Sequence, residues 1–273
     1  MSDATILSAH FPLGRGGGSY HLETHPGDFA PRCILVGSPS RADEIGDMLT
    51  DSITFENARE LRAYTGFYKG VRVTVCTTGM GGPSFAIALK EAVDAGARAF
   101  IRVGSCSALR REIPVGGLVI VRAAIRFDGP SNDWAMPEFP AASHYRVVAA
   151  LEDAAIAAKA SYCVGIEATT ADFNEGQGRA VEGFLSESLR RRHEWVMHLA
   201  HCYSMEAATG CVWCDTHGGL PFAAVNAVFG NRATDAFQKG AGETLACQVG
   251  LDAICALDMG SLLASLPSHL RLR

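Results

Sequence analysis

The chain has 273 residues, 48% of them hydrophobic and 19% charged, with a net charge of −5 and nine cysteines. That length buries one large core or two small ones, and the acidic balance excludes a broad electrostatic footprint for nucleic acid or an anionic membrane. No run of about 18 apolar residues offers a bilayer span and no signal-peptide layout opens the chain, so the expectation is a cytoplasmic enzyme of one domain, residues 1–273, with residues 1–30 as an N-terminal arm.

In chain order, the glycine cluster at residues 14–18 reads as a disordered arm or a partner-contacting segment. Short β-branched runs at 33–36, 71–77, 99–103, 118–125, 162–168 and 222–228 predict strands. Helical patterns fall between them. Ser40 is placed to cap a helix over 41–49, Pro83 occupies a first turn before 85–95, and further helices are predicted over 145–158, 205–216 and 240–263. The triple Arg190, Arg191, Arg192 lies on the amphipathic stretch 181–195 and reads as a solvated helix face. Strand and helix alternation of this kind predicts an α/β fold with a mainly parallel sheet covered on both faces.

Cysteines 33, 76, 163, 247 and 255 sit among apolar neighbours, as buried reduced thiols do. Cys211 and Cys214 form a C-x-x-C, but no second pair stands at zinc spacing and the segment reads as helix, which argues against metal or redox use.

Ligands of such sheets bind beyond the carboxyl ends of the strands, and these positions are polar or glycine-rich here. Gly37 with Arg41 places a backbone donor and a guanidinium at one strand end; Arg102, Gly104 and Ser105 offer a second guanidinium, an open backbone and a hydroxyl at another. Two such ends together point to an anion such as phosphate. Either arginine alone reads as a surface ion-pair former, and Met205-Glu206 opening a helix reads alone as a cap. Residues 78–82, Thr-Gly-Met-Gly-Gly, match neither a Walker loop nor a dinucleotide fingerprint, and residues 104–108 fail as a nucleophile elbow because Cys106 holds the central position and Ala108 the last.

The segments Val36-Gly-Ser-Pro-Ser-Arg41, Thr77-Thr-Gly-Met-Gly-Gly-Pro-Ser84, Ile101-Arg-Val-Gly104, Ile113-Pro-Val-Gly-Gly117, Ile125-Arg-Phe-Asp-Gly129, Glu138-Phe-Pro140, Gly176-Gln-Gly-Arg179, Met205-Glu206 and Asn231-Arg232 resemble, in that order, the uridine phosphorylases of the nucleoside phosphorylase-I superfamily. The resemblance runs from about Cys33 to Ala233. It implies a three-layer α/β/α fold around a distorted sheet, a pentosyltransferase (glycosyltransferase) activity in pyrimidine salvage, and homodimers or hexamers with shared active sites. Gly37, Arg41, Arg102 and Ser105 then resemble the phosphate site, with Arg59 similar to an arginine donated by a neighbouring subunit. Met205 and Glu206 resemble the ribose-binding pair, and His10 a histidine reaching the adjacent subunit's 5′-hydroxyl. Phe173 resembles the aromatic beside base and sugar, Gln177 and Arg179 the pair reading the uracil edge, and Arg232 an arginine near the base carbonyl. Inorganic phosphate is the co-substrate. Glu60, the Met80 carbonyl and Ser84 resemble a monovalent-cation site for potassium at a dimer interface, although a Glu–Ser hydrogen bond reads the same in sequence.

The pattern departs from the family inside the site. Ser204-Met205-Glu206 stands for Glu-Met-Glu, removing a carboxylate near ribose; Ser105-Cys106-Ser107 stands for Thr-Thr-Gly; Phe173-Asn-Glu175 stands for Phe-Tyr-Pro. Three rival readings follow: a purine-directed phosphorylase, a nucleoside hydrolase of the same fold, and a nucleoside-binding homologue without turnover. Purine-directed and hydrolytic relatives place an acid near the base, where this chain has Asn231-Arg232, so the residues favour a pyrimidine.

Overall fold

The computed structural model describes residues 8–57, 59–179 and 186–271. In chain order come β1 (Arg32–Val36), α1 (Pro39–Gly46), β2 (Thr50–Phe55), β3 (Ala63–Tyr68), β4 (Val71–Thr77), α2 (Gly82–Ala95), β5 (Ala99–Ala108), β6 (Leu118–Phe127), α3 (Ser131–Trp134) and β7 (Ala141–Ala142). There follow α4 (Tyr145–Ala157), β8 (Tyr162–Thr170), α5 (Glu187–Leu199), β9 (Cys202–Ser204), α6 (Ala207–Thr216), β10 (Phe222–Asn231), β11 (Ala236–Phe237), α7 (Glu243–Ala256) and α8 (Met259–Ala264).

One sheet runs β11-β10-β6-β8-β9-β5-β1-β4-β3-β2, with β7 on β6 and a further pairing of β10 with β5. That last pairing closes β5, β10, β6, β8 and β9 into a ring, which is how the sheet is distorted. The longest ladders, β5 with β10 and β6 with β8, are parallel, while β6 meets β10 antiparallel and the β2-β3-β4 edge is an antiparallel meander.

Helices cover both faces, as the alternation predicts. Gly250 of α7 packs on the Val103 and Ile101 side chains, where a Cβ would lie 2.5 Å from Val103. Successive residues of a strand point to opposite sides. Phe222, the register partner of Phe100, accordingly faces the other way and meets Phe85 of α2 edge to face at 6.0 Å. α4 joins α7 on the first side, and α6 joins α2 on the second.

Several local expectations change. Ser38, not Ser40, caps α1 by accepting from the Arg41 N–H, because Pro39 with its fixed φ is already the first helical residue. The helix predicted over 240–263 breaks into α7 and α8, since Leu257 is extended and the Asp258 side chain caps a new start at Ser261 N–H. β2 escapes the sequence reading because it lies on the sheet edge, exposed along nearly its whole length, with no apolar alternation. The glycine cluster is not loose: Gly14 N–H bonds the Gly18 carbonyl at 2.9 Å, and the Glu91 carboxylate of α2 pins the following segment by accepting from the His21 and Leu22 N–H groups. Of the stretch 181–195, residues 181–185 lie outside the described residues; the rest opens α5, capped by Ser186. Cys163 and Cys255 are half-buried rather than buried, and all nine thiols are free.

Candidate functional site

A cleft of about 540 Å³ opens at the carboxyl ends of β1, β4, β5 and β8. It gathers Gly37, Arg41, Met80, Arg102, Ser105, Phe173, Gln177, Arg179, Met205 and Glu206 from the residues that the sequence singled out. Four lie apart from it: Ser84 on α2, and His10, Arg59 and Glu60, which are exposed. Arg232 stands just behind it. Its Nη1 donates to the Gln177 carbonyl at 2.9 Å, so it braces the loop carrying Gln177, and its guanidinium lies 6.0 Å from the Tyr203 ring centroid.

At one end, Arg41 Nη1 donates to the Val103 carbonyl at 3.1 Å, which brings its guanidinium to the strand that carries Arg102. Its Nε donates to Glu243 Oε1 at 2.7 Å, at the first residue of α7. Arg102, 5% exposed, donates through Nη1 to Asn226 Oδ1 at 2.9 Å and through Nη2 to Glu206 Oε2, while its Nε is buried with no acceptor among the described residues. Gly104 makes this curl possible: a Cβ there would fall 1.6 Å from Arg102 Nη1 and 2.3 Å from Asn226 Oδ1.

The glycine-rich turn after β4 shapes the other side of Glu206. Gly81 sits at φ 83°, a conformation that suits glycine, and its N–H donates to Glu206 Oε1 at 2.9 Å. Glu206 occupies the cap position of α6, as the plain reading of the pair has it, but makes no side-chain cap hydrogen bond. Its carboxylate is drawn between Arg102 and Gly81 and held facing the cleft.

At the far end, Gln177 is 2% exposed and its amide is fully oriented: Nε2 donates to Thr170 Oγ1 at 3.2 Å and Oε1 accepts from Arg179 Nη1 at 2.7 Å. The Arg179 guanidinium lies 4.0 Å from the centroid of the Phe173 ring, which is itself 55% exposed. Burial, reinforced by the nearby Arg232 charge, lowers the Arg179 pKa.

The loop 171–179 rests on α5. The Arg192 Nη2 donates to the Gly176 carbonyl at 3.0 Å and its guanidinium stacks 4.7 Å from the Phe127 ring centroid. Arg190 and Arg191 do form a solvated face with Glu187 and Glu194, so the reading of the triple arginine holds for two of its members and is corrected for Arg192. Gly178, at φ 71°, lies against His193, whose Nδ1 is 3.0 Å from the Tyr203 hydroxyl.

The sequence reading missed Tyr203, Phe229, Phe237 and Lys239, which complete the cleft wall. It also missed Glu167 and Asn226 beneath it. Those two carried a signal, as polar residues inside otherwise apolar strand runs, where an uncompensated charge is costly. Cys106 lines the cleft as a buried thiol, and the Cys211 thiol of α6 is pushed by burial up to about 12. Among the described residues no three His, Cys, Asp or Glu side chains cluster as a metal site, and no helix is long and apolar enough to cross a membrane.

A profile of the Phosphorylase superfamily matches residues 31–251. A uridine phosphorylase of Thermococcus kodakarensis is 38% identical over 251 residues, covering 91% of this chain and 90% of that protein. A uridine phosphorylase of Salmonella typhimurium is 32% identical over 73% of this chain and 81% of its own length, and a guanosine phosphorylase of Halorubrum lacusprofundi is 31% identical over 69% and 74%. The strand-end cleft with its paired arginines thus sits inside the matched region, and the chain belongs to the phosphorylase superfamily.

Proposed function

We propose that the protein is a pentosyltransferase that cleaves uridine with inorganic phosphate, giving uracil and ribose 1-phosphate. One observation carries this reading: a single cleft holds two guanidinium groups at one end, an oriented amide and guanidinium at the other, and a carboxylate beside the first. Breaking the N-glycosidic bond develops cationic character on ribose while electrons flow into the departing uracil and onto its carbonyl oxygens. Groups that bind those charges only as they form lower the barrier.

Arg41 and Arg102, with the Gly37 backbone and Ser105, are assigned to phosphate. The unpartnered Arg102 Nε supports this, since a buried donor without an acceptor is costly and an oxyanion satisfies it. Held beneath the anomeric carbon, phosphate both stabilises the cation and forms the new C–O bond as the C–N bond breaks. Glu206, with Met205, is assigned to the ribose hydroxyls. Gln177 presents an amide to one uracil carbonyl and the ring N–H, and Arg179 donates to the other carbonyl with Phe173 alongside. Arg232 acts on the base through the Gln177 loop it braces.

His10 and Arg59 are assigned to the active site of a neighbouring copy, in a homodimer or a hexamer of dimers acting in cytoplasmic pyrimidine salvage; their exposure away from this chain's own cleft supports that reading. The cation site at Glu60, Met80 and Ser84 fits in donor chemistry: Ser84 Oγ gives its hydrogen to the Thr78 carbonyl at 2.5 Å and keeps lone pairs for a hard ion, while Glu60 and Met80 are exposed for a second copy to meet.

The purine alternative rests on the guanosine phosphorylase relative. Incubating the purified protein with uridine and, separately, with guanosine, each with and without phosphate, separates the readings: uracil and ribose 1-phosphate from uridine only when phosphate is present supports the proposal. Phosphate-independent release marks a hydrolase, guanosine preference a purine enzyme, and no release from either a binding protein.

A further inference from the structure

The closed ring of strands brings three polar side chains together in an otherwise apolar interior. Asn226 of β10 is opposite Gly104 of β5, Glu167 of β8 is opposite Cys202 of β9, and Cys202 is opposite Ala108 of β5. Arg102, two residues before Gly104, therefore shares their face. Glu167 is 0% exposed and its two oxygens are committed to three donors. Oε1 accepts from Thr169 Oγ1 at 2.6 Å and the Ala207 N–H at 3.2 Å, and Oε2 accepts from Asn226 Nδ2 at 2.8 Å. The Thr169 oxygen is itself taken by the Ala208 N–H at 3.0 Å, so its hydrogen points to Glu167.

Asn226 is thereby given one orientation. A carboxylate offers only acceptors and a guanidinium only donors, so the amide must turn its NH₂ to Glu167 and its oxygen to Arg102. The chain of bonds Glu167, Asn226, Arg102, Glu206 has a fixed polarity, and Glu167 also grips the first N–H of α6, next to Glu206.

We propose that Glu167 and Asn226 are positioning residues that set the Arg102 guanidinium for phosphate. This rests on the assignment of Arg102 above. It also supplies a carboxylate beneath the site from β8 in a chain whose β9 carries Ser204, a residue that stands in register with Thr169, two positions beyond Glu167. Burial raises the Glu167 pKa, and the Arg102 charge opposes that rise; the buried carboxylate is compensated through the relay rather than by direct pairing.

The polarity gives the test. Glu167→Gln puts an NH₂ against the Asn226 NH₂; the amide turns over and presents its own donors to Arg102. KM for phosphate rises by about tenfold or more, as a displaced anion-holding group entails, while KM for uridine changes little. Adding Asn226→Asp restores the order of donors and acceptors with the same total charge: the new amide on β8 donates to one oxygen of the new carboxylate on β10, whose other oxygen accepts from Arg102. The double variant E167Q/N226D returns KM for phosphate to within about threefold of the parent, the scatter expected when near-isosteric groups are exchanged.

A merely structural role predicts no such rescue. Phosphate affinity measured by calorimetry on the same samples judges the relay even if uridine is not the substrate; absence of uracil from the parent protein fails the uridine assignment alone. An unchanged phosphate affinity in E167Q, or a folded double variant as weak as the single, overturns the proposal. Should the variants not fold, the parent crystallised with phosphate decides: the Asn226 to Arg102 bond persists under the bound anion, or its absence overturns the relay.

Discussion

Replacing Arg179 by alanine separates the two ends of the cleft. The guanidinium orients the Gln177 amide through a 2.7 Å bond, stacks on Phe173, and is available to a uracil carbonyl. Loss of a donor aimed at developing negative charge costs about 2.7–4 kcal/mol, or 10² to 10³ in kcat. The stacking contact adds about 0.5–1 kcal/mol at an exposed ring such as Phe173, and this falls mainly on binding. Arg179→Ala therefore lowers kcat on uridine by about a hundredfold or more and raises KM for uridine a few-fold. Phosphate affinity stays near the parent value, because Arg41 and Arg102 are anchored by Glu243, Val103, Asn226 and Glu206 and not by the 171–179 loop. Steady-state kinetics with each substrate varied in turn, with phosphate binding by calorimetry, measures both. An equal loss of phosphate affinity, or a kcat within a few-fold of the parent, refutes the assignment of Arg179.

Gly104→Ala drives a methyl into the Arg102 guanidinium, so kcat/KM for phosphate falls on the order of a hundredfold with the fold intact by circular dichroism; a neutral outcome shows that Arg102 does not hold the anion. Lys239→Met removes an exposed cation at the cleft rim and raises KM for phosphate about twofold to fivefold at low salt, less as salt screens it. Phe222→Ala, which empties the fully buried contact with Phe85, destabilises by about 3–5 kcal/mol in urea unfolding without a selective effect on either substrate. The Gly176 N–H bond, 2.6 Å to Asp172 Oδ2, is the leading cause that holds the Asp172 carboxyl below its ordinary range. A depressed carboxyl pKa stabilises fully above its unfolded value and loses that contribution as pH falls through the folded one. Hydrogen exchange in residues 172–179 accordingly gains protection from the carboxylate at neutral pH and loses it below the usual carboxylate range, and Asp172→Asn removes this acid dependence.

The strand ends were legible because small residues and arginines follow β-branched runs, and two guanidinium groups at two such ends together point to an anion where either alone reads as an ion-pair former. Gly37, Arg41, Arg102 and Ser105 all reach the cleft on that logic, and Gln177 and Arg179 reach it as the family resemblance implies. Sequence could not show that Arg41 and Arg102 are each paired with a carboxylate, since Glu243 lies 202 residues from Arg41 and Glu206 lies 104 residues from Arg102. Nor could it show the closed ring, which depends on β10 pairing with both β5 and β6. Arg192 was misread because three successive arginines read as one face, whereas residues two apart on a helix do not face each other, and the Gly176 carbonyl and the Phe127 face draw Arg192 inward. Ser38 displaced Ser40 as a cap because Pro39 between them fixes where the helix begins.

The proposed function requires one cleft that binds an oxyanion on Arg41 and Arg102 while Gln177 and Arg179 read a pyrimidine. A crystal structure of the protein with uracil and phosphate together tests it directly. Phosphate oxygens are expected on both guanidinium groups, with the Arg102 Nε among the donors, and uracil carbonyls on Gln177 and Arg179 above Phe173. Phosphate bound away from Arg41 and Arg102, or uracil seated elsewhere in the molecule, contradicts it.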